Sequence, residues 1–446
     1  MYLQTRQLQC YPLSSSKEMK AGEPKAAPVI ITPSAGVISF PEMARLGNGV
    51  PVYLIDKGTV DLMRIECVFQ AGQIMEEVHL SALSASAMLT EGTRSYDAAT
   101  INDLIDSTGA ALYHLADKDT ASLLTITLTR KLDEVLALAG EVLFRPSFPD
   151  HEFRLLTDRR IQAFLTSRQK TSVIAREAFY EALCGAENPY GRIARESDYR
   201  SLTTGDLRRF HQKHYLPLNM YITVAGRYPE QTLPLLEKHF GINGRDGSGR
   251  PVRPILHFAT ARPVKIFCEI PGSVQSTVRL GWDGITRNHP DYQGLQVATT
   301  ILGGYFGSRL MRNIREEKGY TYGIHAVAGS FREKGYIVIM TDVANEYREA
   351  AVKEIKKEIR ILCEDEVTDE EMTLVRNHLM GETARMFDGP FTIAETVRGI
   401  IDHETGHDYY NRFTETIRSI TPGKIKELFN TYFNIDEAFE IIAGAR

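Results

Sequence analysis

The chain carries one of its own segments twice. Ser201 to Arg227, SLTTGDLRRFHQKHYLPLNMYITVAGR, aligns without a gap on Ser419 to Ala445, SITPGKIKELFNTYFNIDEAFEIIAGA, at a constant offset of 218. A repeat this long is a duplicated domain rather than a short stacking unit, so whatever one half folds into, the other must fold into as well. In each copy a Thr can cap a helix, with apolar face Leu207, Phe210 and Tyr215 or Ile425, Leu428 and Phe433. A β-prone run ending at glycine follows, Met220 to Ala225 or Ala438 to Ala443. Pro149-Asp150-His151-Glu152-Phe153 and Thr368-Asp369-Glu370-Glu371-Met372 add a second match, each placing Asp where a long helical pattern wants its N-cap.

The predicted organisation follows from these matches. Residues 1–39 form an N-terminal extension, 40–243 a first domain, 244–261 a linker rich in glycine and proline, and 262–446 a second domain. Predicted strands are Val50 to Ile55, Met63 to Phe69 and Ser122 to Thr129, then Val264 to Ile270, Thr277 to Trp282 and Tyr336 to Thr341. They do not alternate one for one with helices. That favours an α+β fold of two homologous halves, each a mainly antiparallel sheet covered by helices.

Hydrophobic residues at 43% and charged residues at 24% suffice for two such cores. A net charge of −5 without a Lys/Arg block argues against nucleic acid as a partner. Cys10, Cys67, Cys184, Cys268 and Cys363 have neither paired nor zinc-ribbon spacing and read as reduced, mostly buried thiols. No signal-like apolar run occurs in the first 36 residues and no 18-residue apolar span later, so the expectation is a cytoplasmic chain that does not enter a membrane, the periplasm remaining open if an export signal has been removed.

One zinc-type motif is present. His403-Glu404-Thr405-Gly406-His407 matches H-E-x-x-H, and Glu427 lies where a third ligand could stand. The repeat opposes it, because the equivalent residues Gly185-Ala186-Glu187-Asn188-Pro189 spell a loop, and Gly406 weakens a helix in the second copy. Surface histidines on a loop are the expectation, with an independent zincin built on His403, Glu404 and His407 as the rival.

Gly303-Gly304-Tyr305-Phe306-Gly307-Ser308-Arg309-Leu310-Met311-Arg312-Asn313-Ile314-Arg315-Glu316-Glu317-Lys318-Gly319-Tyr320-Thr321-Tyr322-Gly323, with Asn188-Pro189-Tyr190-Gly191-Arg192 in the first half, resembles the pitrilysin, insulin-degrading enzyme and mitochondrial processing peptidase family, the inverzincins. The resemblance is nearest to the short bacterial members that assemble from separate subunits, and it extends over nearly all the chain after residue 40. Active members carry H-x-x-E-H on a first-half helix and a later glutamate ligand. Met88-Leu89-Thr90-Glu91-Gly92-Thr93 resembles the end of that helix, which puts Leu83, Ser86 and Ala87 at the histidine, glutamate and histidine positions. Ala163, beside Gln162, stands at the third-ligand position. Leu83, Ala85 and Ala87 offer no donor, and His79 lies outside the ligand spacing. Arg315 and Tyr322 match the family's substrate-gripping arginine and tyrosine.

The resemblance therefore implies a non-catalytic, peptide-binding subunit with no cofactor. Its expected partners are a separate zinc-bearing homologous subunit and a peptide substrate, with a homodimer as the alternative assembly. A structural scaffold that processes no peptide is a further rival. Bland readings stand beside the functional ones: apolar packing for the helix of Leu83, and for Arg315 and Tyr322 a charged helix face and an ordinary strand residue.

Overall fold

The computed structural model describes residues 39–241, 252–258 and 262–446. The expected N-terminal extension and most of the expected linker lie outside the described residues. Two sheets form. The first comprises β1 (Glu42–Arg45), β2 (Pro51–Asp56), β3 (Leu62–Phe69), β4 (Ala111–Ala116), β5 (Ala121–Leu128) and β6 (Met220–Gly226), in the order β1-β2-β6-β3-β5-β4. The second comprises β7 (Val264–Glu269), β8 (Gln275–Gly284), β9 (Thr321–Ser330), β10 (Gly335–Ala344) and β11 (Phe439–Gly444), in the order β7-β11-β8-β10-β9.

With β1 set aside, the two orders are the same, strand for strand. Each sheet has one parallel pair, β2 with β6 and β7 with β11, and is otherwise antiparallel. The last strand of each half returns beside its first, and the sequence repeat coincides with that return. β3 and β8 are buried along nearly their whole lengths, as central strands covered on both faces. β9 alternates buried and exposed residues and forms an edge.

The helices that matter to the site are α1 (Ser81–Ala87), α2 (Asp150–Ser167), α3 (Thr171–Cys184), α4 (Thr204–His214), α5 (Asp369–Arg385), α6 (Pro390–His403) and α7 (Pro422–Tyr432). Thr203 and Thr421 cap α4 and α7, their hydroxyls accepting from the amides of Asp206 and Lys424. Thr368 caps α5 in the same way. The expected Asp N-cap needs correction in both halves: Thr368 is the N-cap of α5 and Asp369 its first helical residue, and in the first half Pro149 is the N-cap of α2 and Asp150 its first helical residue. There the Asp150 carboxylate accepts from the Thr204 hydroxyl at 2.7 Å, joining α2 to α4.

α3 and α6 occupy equivalent positions in the two halves, and each covers the other half's sheet. α3 leaves the first half to lie across β7, β11 and β8. Its Phe179 ring packs against Phe439 and Tyr336 with no exposure, and Thr171 meets Thr277 at 2.9 Å. Gly281 must be glycine to admit that ring, since a Cβ there would fall 2.5 Å from the edge of Phe179. Reciprocally, α6 lies over β6 and β2, where Ile393, Ala394 and Val397 pack on Ile55 and Ala225.

A buried polar network crosses the same seam. Arg398 on α6 pairs with Glu66 on β3, donates to Thr120 at 3.0 Å and holds Asp402 at 3.1 Å. Glu66, fully buried, also accepts from Ser122 and Arg64, each at 2.8 Å. Burial alone would lower the Arg398 pKa, but the Glu66 and Asp402 charges outweigh it and hold the guanidinium above its ordinary value. The Tyr221 hydroxyl closes the network on Asp402 at 2.8 Å.

Cys67 and Cys184 are buried and Cys268 and Cys363 partly exposed, all four free; Cys10 lies outside the described residues. Among the described residues no helix is long and apolar enough to cross a membrane.

Candidate functional site

Glu76 shapes the start of α1. Its carboxylate accepts from the amides of Leu80 at 3.1 Å and Ala82 at 2.9 Å, where a helix has amides without intrahelical partners. Burial raises its pKa to about 7, against the opposing effect of those two amide bonds. On the helix it starts, Ser86 and Ala87 are buried and Leu83 is half-buried against the first core. The Ser86 hydroxyl donates to the Leu115 carbonyl at 3.2 Å, fastening α1 to β4. Ala163 and Gln162 are exposed on α2.

Arg160, one turn before Ala163, reaches from α2 to α1. One guanidinium nitrogen donates to the Ser84 hydroxyl at 2.7 Å and another to the Leu83 carbonyl at 3.0 Å. The space between the helices thus offers aliphatic groups, two hydroxyls and a cation. Zinc does not fit that donor set, because it needs several N, O or S ligands and would be repelled by the guanidinium. His79 is paired with Asp198 at 3.1 Å; burial pushes its pKa down while Asp198 opposes the shift.

The H-E-x-x-H residues do not share a helical face. Contrary to the loop expected there, α6 runs through His403, but Glu404 then adopts left-handed geometry with φ 55° and the helix stops. Burial, then the nearby Arg287 and Arg332, push the His403 pKa down to about 3. Glu404 pairs with Arg253 at 2.7 Å, His407 stacks on Phe40 at 3.8 Å and Glu427 pairs with Lys424 at 2.8 Å. Among the described residues no group of three His, Cys, Asp or Glu side chains could hold a metal ion.

Arg315 lies on the wide-wound helix Met311–Glu317, anchored by buried Met311 and Ile314. The preceding Arg309 holds this segment to α5 through two bonds to Glu371, at 2.9 and 2.8 Å. Among the described residues no carboxylate lies within salt-bridge distance of Arg315; its guanidinium sits over the exposed Phe306 ring at 4.4 Å. The charged face with Glu316 and Glu317 therefore does not pair it, and an aromatic platform does. Tyr322 is 93% exposed, near the start of edge strand β9. The register between β9 and β10 shifts there, leaving Tyr322 and Gly323 opposite the single residue Asp342. Such a bulge redirects a side chain out of the strand's alternation. Thr321 and Thr341 brace it: the Thr321 hydroxyl donates to the Asp342 carbonyl at 2.8 Å and accepts from Gly323 at 3.0 Å, and Thr341 donates to Thr321 at 2.9 Å.

Sequence reasoning did not single out Arg160 or Phe306. The first was legible as a basic residue one helical turn from Ala163, and the second as an aromatic inside the segment that carried the resemblance.

A family model described as the peptidase M16 inactive domain matches residues 201–379. A Bacillus subtilis protein named an uncharacterized zinc protease, YmxG, is 21% identical over 338 residues, covering 75% of this chain and 81% of its own. A Helicobacter pylori relative named a non-peptidase homolog is 21% identical over 344 residues, 74% of this chain and 77% of its own. A Pseudomonas fluorescens crystal structure described as a peptidase M16 inactive domain superposes with a TM-score of 0.83 at 23% identity, covering 91% of this chain and 98% of that one.

Proposed function

Because the chain is an M16-type, peptidase-like protein of the non-catalytic kind in fold and family signature, we propose that it is the peptide-binding subunit of a two-chain metallopeptidase. In this reading a separate zinc-bearing homologue supplies the hydrolytic centre. The observation that carries it is the contrast between two places in one chain. At Leu83, Ser86, Ala87 and Ala163 there is no set of donors for a metal, whereas the Arg315 guanidinium has an aromatic platform and no carboxylate among the described residues, and Tyr322 stands exposed on edge strand β9.

An arginine can donate to peptide carbonyls, and a phenol can donate where charge develops on the attacked carbonyl. The test mixes the zinc-bearing homologue with wild type, Arg315→Ala or Tyr322→Phe, after equal assembly has been verified. Each variant is expected to turn peptide over about a hundredfold more slowly, the usual loss for a transition-state donor. Unchanged turnover in both would leave a scaffold. The reading also locates the chain in the cytoplasm with its partner, which fractionation checks directly.

A further inference from the structure

Arg160 is a cation in search of an anion. It is half-buried on α2 against α1, and both of its hydrogen bonds go to neutral oxygens, the Ser84 hydroxyl and the Leu83 carbonyl. Among the described residues no carboxylate lies within salt-bridge distance of it. Desolvation accordingly pushes its pKa below the ordinary arginine value, with only weak opposing help from Tyr199 and Glu76. Glu76 is committed to the amides of Leu80 and Ala82. A desolvated charge left without a counter-charge is costly, which makes it a candidate to receive a ligand's charge.

The surroundings say where that ligand would come from. β4 is an edge strand of the first sheet, and its Tyr113, His114 and Leu115 are exposed. The protein-facing side of the His114 ring is desolvated even though the residue is open to solvent, and that desolvation, with the Arg160 charge second, lowers its pKa. α1 is tied to β4 through Ser86, and Arg160 is tied to α1 through Ser84, so the guanidinium is held rather than free to swing. A fixed planar fork of donors beside an open strand is suited to a carboxylate.

We propose that Arg160 is a carboxylate-binding residue, receiving either an acidic side chain or the C-terminal carboxylate of a peptide that lies along β4. This deepens the peptide-binding reading and rests on it for the identity of the ligand. The site would read charge in the space between α1 and α2.

Two measurements test it, separately from that reading. In the first, the full chain is ¹³C-labelled at histidine and His114 is titrated with propionate or with propionamide. Propionate should raise the His114 pKa by offsetting the Arg160 charge and propionamide should not; no difference between them overturns the proposal. In the second, fluorescent blocked peptides of one apolar sequence carry Glu, Gln, or Gln with a free C-terminal carboxylate. Whichever carboxylate source is used should bind about tenfold more tightly than the blocked Gln peptide, about 1.4 kcal/mol. Arg160→Gln should erase the preference between the carboxylate-bearing and the blocked Gln peptides. Should Arg160→Gln fail to fold, the wild-type comparisons decide alone. Peptides that bind equally well, with no propionate effect, sink the carboxylate site and spare the peptide-binding reading. A propionate effect with no peptide binding does the reverse.

Discussion

Truncating Phe179 should weaken a sheet to which it does not belong in sequence. The residue precedes β7 by more than eighty positions, yet its fully buried ring rests on Phe439, Tyr336 and the bare Cα of Gly281 in the second sheet. Phe179→Ala removes that ring and leaves a hole that the backbone of β8 cannot close, a loss of roughly 3–5 kcal/mol. The chain carries its own reporter. Trp282, the single tryptophan, is the neighbour of Gly281, is 3% exposed and donates to the Asn434 carbonyl at 2.7 Å. In urea the Trp282 fluorescence transition should move to lower denaturant together with the far-UV circular dichroism, with its slope unchanged. If the dichroism shifts while the fluorescence transition stays at the wild-type midpoint, α3 does not support the second sheet energetically and the exchange of helices is only geometric.

Three further outcomes are expected. Cutting at a protease site inserted after Gly247 should leave the two fragments associated in gel filtration without denaturant, since α3 and α6 still cover each other's sheets; separation would contradict that. His211 is buried and neutral, its ring nitrogen on the Leu143 carbonyl, with burial lowering its pKa to about 4. Its contribution is whole above pH 6.5 and is lost as pH falls from there through about 4, ~3 kcal/mol in all, so His211→Gln should flatten urea midpoints measured across that window. Gly281→Ala should cost ~1–3 kcal/mol by overpacking, because its Cβ would meet both Phe179 and the Ile337 carbonyl at 2.5 Å; a neutral result in the same urea assay would refute the tight approach.

The sequence exposed the duplication because caps and strand ends are written locally: Thr203 and Thr421 mark the helix starts, and Gly226 and Gly444 the strand ends. The α+β class and the long central strands were legible for the same reason. Edge strands β1, β4 and β9 were not picked out, being short, exposed or interrupted by a bulge, so that periodicity weakens where strands meet solvent. That Leu83 and Ala163 offer no metal donor could be read from residue type alone, since no packing turns either into a ligand. Arg160, Glu66 and Arg398 could not be read this way. Their meaning depends on which charges lie across a seam, and Glu66 and Arg398 are 332 positions apart in the chain.

The exchange of α3 and α6 bears on how a peptide could enter. A clamshell of two lobes opens by rotating about its hinge, and that motion requires a seam that parts cheaply. Here parting would strip a helix from each sheet at once and pull Arg398 away from buried Glu66. The chain is cross-braced against gaping along its own midline. On the proposed peptide-binding reading, an aperture would lie at the margin, along the open edges of β4 and β9, and admission of a peptide would be an event of docking between chains rather than of breathing within this one.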